Sequence, residues 1–139
     1  MTLNKNIAHW IIIKSSGREI QAIGGDKGLS ATIMSNPQLG PRTTLFNKEN
    51  WTSVPEPLKG LYTLKEYRQY LILHEFGHAL ASIEHPENKS LRHGSSAPIM
   101  YQHTKGLTVK NHLGTQITLK KNLWPLLEER KFFHKHRVY

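Results

Sequence analysis

The sequence predicts a single α+β domain over residues 1–139, and three observations lead to this class. The first third of the chain contains short β-branched runs separated by Gly, Ser and Asn-Pro turns, which are typical of strands. The middle contains one long segment with apolar residues at helical spacing. The length of 139 residues suits one domain with a core of its own. We therefore expect a small sheet of about three to five strands, packed on a long helix.

The sheet is predicted from four short apolar segments that lie within residues 7–47. Each segment is four to six residues long and ends at a turn-like sequence such as Ser15-Ser16-Gly17. The four segments are residues 9–14, 18–23, 29–34 and 43–46. A loop is expected next, because two prolines and a glycine follow between residues 55 and 60.

A long helix is predicted over residues 63–83. Thr63 is followed three residues later by Glu66, which is the capping-box spacing, so Thr63 is expected to be the N-cap. Pro86 ends the helix, because the residue before a proline is pushed out of helical geometry. Apolar residues recur at spacings of three and four on two adjacent stripes of this helix. One contains Leu64, Tyr67, Leu71, His74 and His78, and the other Ile72, Phe76, Leu80 and Ile83.

Within this helix, residues 74–78 read H-E-x-x-H. Positions i and i+4 share a helix face, so His74 and His78 can bind one metal ion. Glu75 then lies beside the metal, where it can take a proton from a metal-bound water.

The third ligand is predicted to be His85, which lies seven residues beyond His78. In a straight helix it would be about 10 Å too far along the axis, whereas each ligand of a zinc ion lies about 2 Å from it. The helix must therefore break and fold back after Ala81. Glu84 competes for the same role, and His93 or His103 could complete the site instead.

With this third histidine, the chain resembles the metzincin metalloproteases, most closely the matrixin branch. Those enzymes carry H-E-x-x-H-x-x-G-x-x-H and then a methionine-containing turn, and here the motif is followed by Pro98-Ile99-Met100-Tyr101. The resemblance implies a zincin-like domain with Zn²⁺ held by His74, His78 and His85, and with Glu75 as general base. It also implies a Met-turn at about residues 97–102 that lies beneath the metal and is followed by residues that shape a specificity pocket.

Other stretches resemble parts of the same fold, and this resemblance implies a small twisted mixed sheet and a second helix near the C-terminus. Residues 28–34 resemble the edge strand that pairs with substrate, residues 43–51 the hairpin strand, and residues 115–133 the closing C-terminal helix. The likeness covers roughly residues 8–133, and its specific motifs lie in residues 74–101.

The chain departs from the family pattern in three respects. Ala81 replaces the family glycine, and the third histidine comes one residue late, with Glu84 at the family spacing. We interpret this as a one-residue insertion at the helix end. The N-terminal part is shorter than in the family, so we expect a reduced sheet, or an edge covered by a partner or a second copy of the chain.

Composition and charge limit the possible metal ligands, cellular location and partners. Because the chain has no cysteine, a metal must be held by histidine or carboxylate, and a reducing, cytoplasmic location is favoured. The apolar run at residues 7–13 is too short for a membrane span and has no signal-peptide cleavage site. The net charge of +9 is compatible with nucleic acid, anionic membrane surfaces or an acidic protein or peptide substrate. No nucleic-acid motif accompanies the basic residues 130–137, so we expect a solvated tail there, with an anchor for an acidic partner as the alternative.

These patterns together predict a zinc-dependent endopeptidase that hydrolyses peptide bonds through a metal-activated water. A metal-bearing interaction module without turnover is a second interpretation, and it would bind zinc yet cleave no peptide. A basic, nucleic-acid-associated metalloprotein is a third, and salt-sensitive binding to DNA or RNA would support it.

Overall fold

The computed structural model describes residues 11–22, 30–36, 40–49, 51–81 and 84–136. The strands β1 (Ile11–Ser15), β2 (Ala31–Asn36) and β3 (Gly40–Asn47) form a mixed sheet in the order β1-β3-β2. The central strand β3 runs parallel to β1 and antiparallel to β2. Within the described ranges, β2 is therefore an edge of the sheet.

The sheet packs against one long helix, α2 (Leu64–Ala81), which contacts both β2 and β3. Its start follows the predicted capping box. The Glu66 amide donates to the Thr63 hydroxyl over 3.1 Å, and the Thr63 amide donates to the Glu66 carboxylate over 2.9 Å. The buried residues of α2 include Tyr67, Tyr70, Leu71, His74 and Glu75, so the helix carries the motif on its inner side.

The chain after α2 also packs against this helix. Short 3₁₀ turns at Asn88–Ser90 and His103–Lys105 flank the buried segment 97–101. A hairpin of β4 (Thr108–Lys110) and β5 (Gln116–Thr118) follows, and then α3 (Leu127–His136), which packs on α2. The architecture confirms the α+β class and the small mixed sheet.

Residues 18–23 were predicted as a strand, and this prediction is wrong. They lie largely in a helix, α1 (Gly17–Ala22). Ser16 and Glu19 cap it reciprocally, since the Glu19 amide donates to the Ser16 hydroxyl over 3.1 Å and that hydroxyl donates to the Glu19 carboxylate over 2.9 Å. Ile20 anchors the helix and is fully buried.

The helix predicted over residues 115–133 is also wrong in its first half. Residues 116–118 form β5, and α3 begins only at Leu127 and continues to His136. Pro125 explains the late start, because proline cannot occupy a helix interior without losing a hydrogen bond and clashing with the preceding turn. Acidic residues in the first turn and basic residues in the last then match the helix dipole.

Two further predictions differ from the structure or fall outside it. Ile72 and Phe76, which were expected to cover a packed face of α2, are 41% and 39% exposed. The predicted strand residues 7–10 and 29, and Ile83 near the helix end, lie outside the described residues. Among the helices that are described, none has the length and apolar character needed to cross a membrane.

Candidate metal centre

Three histidines meet beside the end of α2. The Nε2 atom of His74 lies 3.3 Å from that of His78 and 3.2 Å from that of His85, and the last two are 3.2 Å apart. His74 and His78 come from successive turns of α2, and His85 returns to them after the helix has ended at Ala81. These three side chains could hold a metal ion.

The spacing of the three nitrogen atoms provides a test of the fit. Ligands about 2.0–2.1 Å from a tetrahedral zinc ion lie about 3.3–3.4 Å from one another. The observed separations of 3.2 to 3.3 Å agree with this geometry. Three nitrogen lone pairs that converge so closely repel one another unless a proton or a cation lies between them, so the donor set suits a cation.

The protonation of His74 is fixed by its other ring nitrogen. Its Nδ1 lies 2.7 Å from the carbonyl oxygen of Ile99. Because a carbonyl can only accept, Nδ1 carries the proton and the Nε2 lone pair faces the cluster. This is the outer hydrogen bond that metal-binding histidines usually make, and it fixes both the tautomer and the ring orientation.

Desolvation keeps two of the three histidines neutral. Desolvation, followed by the charge of His78, holds the pKa of His74 well below its ordinary value. Burial also lowers the pKa of His85 to about 4, with smaller contributions from His78 and Lys105. Neutral imidazoles are the form that binds metal, so the site is ready for a cation at neutral pH.

The residues after Met100 are held by a buried aromatic network. His103 is fully buried; its Nε2–H donates to the Pro98 carbonyl over 2.8 Å, and its Nδ1 accepts from the Tyr62 hydroxyl over 2.6 Å. The Tyr70 ring stacks on His103 at 4.0 Å between centroids, and its hydroxyl donates to the Tyr101 carbonyl over 3.1 Å. Burial lowers the pKa of His103 to about 4. This network therefore fixes the segment that contains Ile99, whose carbonyl oxygen accepts the hydrogen bond from His74.

Met100 supports the helix directly beneath the motif. It is 1% exposed, and a Cβ atom added to Gly77 would lie 2.4 Å from its sulfur and 3.1 Å from the Phe133 ring. The lack of a side chain at Gly77 therefore lets the methionine and α3 approach the backbone of α2. The turn itself is closed by a hydrogen bond of 3.1 Å from the Tyr101 amide to the Pro98 carbonyl.

Glu129 of α3 stabilises the turn at residues 98–101, which we call the Met100 turn. Its carboxylate accepts from the amides of Ile99 and Met100, each over 2.9 Å, and from the amide of Leu126 over 3.0 Å. The last bond caps α3 itself. One side chain thus connects the start of α3 to the segment whose carbonyl orients His74.

Glu75 lies on the sheet side of the cluster and is 3% exposed. Its carboxylate accepts a hydrogen bond from the Thr32 hydroxyl of β2. Burial raises the pKa of Glu75 to about 7 in the metal-free protein, and the Thr32 bond acts in the opposite direction. A neighbouring cation would lower this pKa.

A cleft opens beside His74 and Glu75, between α2, the start of β2 and the segment after Met100. Its empty space, which includes open solvent, is about 340 Å³. On the helix side its wall contains aromatic and aliphatic side chains together with the two titratable groups of the motif, and on the other side it is uncharged and polar. It is lined by Ser30, Tyr67, Tyr70, Leu71, His74, Glu75, Gln102 and Thr104. The cleft therefore places Glu75 and His74 at the wall of a space that opens to solvent beside the histidine cluster.

The other candidates for the third ligand lie elsewhere. Glu84 is exposed and outside the cluster, although it adjoins His85. His93 accepts a 3.0 Å hydrogen bond from the Thr118 amide, and both ring nitrogens of His103 are used inside the core. The structure therefore brings together His74, His78 and His85, with Glu75 adjacent.

Sequence reasoning missed several residues that shape this site. Thr32, Tyr70 and Glu129 come from three different elements, and their roles depend on tertiary contacts. Tyr70 alone had a sequence signal, since it precedes His74 by one helical turn.

The chain belongs to the family described as "Protein of unknown function (DUF3152)", which it matches over residues 8–123. That range includes the sheet, the whole of α2, the histidine cluster and the Met100 turn. No curated protein and no solved structure matches the chain.

Proposed function

We propose that this protein is a zinc-dependent endopeptidase of the metzincin type, with Zn²⁺ held by His74, His78 and His85. The observation that carries the proposal is the triangle of three Nε2 atoms, 3.2 to 3.3 Å on each side, formed on a helix whose Glu75 is buried beside it. Zinc at such a site polarises a carbonyl oxygen and makes water a nucleophile at neutral pH.

The role of Glu75 follows from its position and chemistry. Its carboxylate accepts a proton from the water that attacks the peptide carbonyl, and returns this proton to the leaving amine. The Thr32 bond occupies one side of the carboxylate, so the other oxygen is available for the water. His74 keeps its lone pair toward the metal because the Ile99 carbonyl holds its other nitrogen.

The substrate is an extended peptide that pairs with the edge strand β2. Main-chain hydrogen bonds along a free sheet edge give affinity independent of sequence, and side-chain pockets then give selectivity. The cleft beside Glu75 accepts one substrate side chain. Its uncharged polar wall, with Ser30, Gln102 and Thr104, favours a small neutral residue over a charged one.

The test uses zinc-loaded protein with an unfolded protein and a mixed peptide library, and cleavage sites are read by mass spectrometry. We expect cleavage by the wild type, and a loss of at least about 100-fold in Glu75→Gln with zinc retained. Glu84→Gln is the matched control and should keep both zinc and activity, because Glu84 is exposed and outside the cluster.

Two results would contradict the proposal. Undiminished cleavage by Glu75→Gln would remove the general-base role. Zinc binding without cleavage of any substrate would instead support the interpretation of a metal-bearing interaction module.

A further inference from the structure

Glu75 is connected to the edge strand by a side chain that the motif does not contain. The Thr32 hydroxyl lies within hydrogen-bond distance of the Glu75 carboxylate and 3.3 Å from the Glu75 carbonyl oxygen. Thr32 donates its single proton to the carboxylate, which accepts it in the ionised form that a general base requires. The buried base is thus held by β2, 43 residues earlier in the chain.

A second threonine extends this connection into the centre of the sheet. The Thr44 hydroxyl of β3 lies 2.8 Å from that of Thr32, and Thr44 is fully buried. Because the Thr32 proton is directed to Glu75, Thr44 donates to Thr32. The hydrogen bonds therefore run in one direction, from Thr44 through Thr32 to Glu75, and each bond polarises the next.

The position of Thr32 on β2 relates this row of hydrogen bonds to substrate binding. β2 is the edge of the sheet in the described part of the chain, and it is the strand that would pair with a peptide. An extended peptide that adds to this edge fixes the backbone of β2. Through Thr32, the same event fixes the carboxylate that must face the water.

We propose that Thr32 is a positioning residue for Glu75, and that it couples peptide pairing on β2 to the alignment of the general base. The coupling rests on the proposed endopeptidase function, whereas the hydrogen bond itself does not. If Thr32 were purely structural, it would hold β2 against α2 but would not determine the orientation of the Glu75 carboxylate.

The test compares Thr32→Val, which keeps the shape and removes the hydroxyl, with Thr32→Ser, which keeps the hydroxyl. The first readout is independent of activity: the carboxyl ¹³C signals of the glutamates in labelled, metal-free protein, with Glu75 assigned by its absence in Glu75→Gln. The signals are recorded at a pH about two units above the Glu75 pKa of about 7, where the carboxylate is ionised and its signal reports its surroundings rather than its protonation. We expect the Glu75 signal to shift in Thr32→Val and to return to its wild-type position in Thr32→Ser. Zinc content should stay the same in both variants.

The second readout is turnover of a peptide that the wild type cleaves. A misplaced reacting group can cost up to about 100-fold in rate, so we expect kcat to fall at least about 10-fold in Thr32→Val, with little change in KM. Thr32→Ser should recover most of kcat. Thr44→Val leaves Thr32 in place and should shift the Glu75 signal and lower kcat in the same direction, by less.

The results distinguish a positioning role of Thr32 from a purely structural one. An unmoved Glu75 signal in both valine variants would overturn the inference. Loss of zinc or of folding in Thr32→Val, together with an unmoved signal in Thr44→Val, would make the role structural and overturn it too. If the wild type cleaves no peptide, the proposed function fails, while the carbon signals still decide whether Thr32 positions Glu75.

Discussion

The clearest structural prediction concerns Glu129, because one carboxylate serves three backbone amides. Glu129→Ala leaves the amides of Ile99 and Met100 without their acceptor, and both residues are buried to 1% exposure or less. Each unsatisfied buried amide costs about 1–3 kcal/mol. The lost cap at Leu126 adds roughly 1 kcal/mol.

The expected loss of unfolding free energy in Glu129→Ala is therefore roughly 3–7 kcal/mol. A typical domain has an unfolding free energy of only about 5–15 kcal/mol. We expect the unfolding midpoint of metal-free protein to fall by at least about 10 °C, measured by circular dichroism. Zinc affinity should also fall by about 10- to 100-fold, since the displaced Ile99 carbonyl orients His74.

Glu128→Ala is the matched control for this experiment. Glu128 is the preceding residue in the first turn of α3 and is exposed, so its removal costs only its share of the helix-dipole interaction, about 0.3–1 kcal/mol. Equal destabilisation by the two variants would refute the conclusion that Glu129 clamps the Met100 turn.

Two further predictions test the packing and the buried network. Gly77→Ala should destabilise the protein, since its Cβ would lie 2.4 Å from the Met100 sulfur. The same change should cost less in a Met100→Ala background, where only the Phe133 ring, at 3.1 Å, stays close. A double-mutant cycle by urea unfolding measures the difference, and additive effects would argue against the contact. The pKa of His103 falls from 6.5 to about 4 on burial, so the unfolded chain binds the proton first and stability is lost as pH falls from about 6.5 to 4. Between pH 7 and 4.5, the decrease in unfolding free energy of metal-free protein should be roughly 2–3 kcal/mol smaller in His103→Gln than in the wild type. An unchanged pH dependence would contradict the conclusion that His103 is a buried neutral histidine.

Local signals explain which parts of the fold were predictable from sequence. The Thr63 to Glu66 spacing placed the start of α2, and the distance argument for His85 required the chain to fold back after Ala81, where the helix ends. Both depend on residues close in sequence and on fixed helix geometry.

The same signals were present where the prediction failed. Ser16 and Glu19 have the capping spacing of Thr63 and Glu66, yet the segment after Ser16 was interpreted as a short strand that ends at a turn. Pro125 likewise argued against a helix over residues 115–133.

The support of the candidate site could not be predicted, for a different reason. Thr32 reaches Glu75 across 43 residues, and Glu129 reaches Met100 across 29. Such hydrogen bonds follow from how the sheet and α3 pack on α2, and no local pattern in the sequence encodes them.

Elemental analysis of protein purified without added metal will show whether His74, His78 and His85 bind one zinc ion. We expect about one zinc per chain in the wild type and in His93→Ala, whose histidine lies outside the cluster, and a large loss in His85→Ala. Zinc absent from the wild type, or retained in full by His85→Ala, would contradict the proposed three-histidine site.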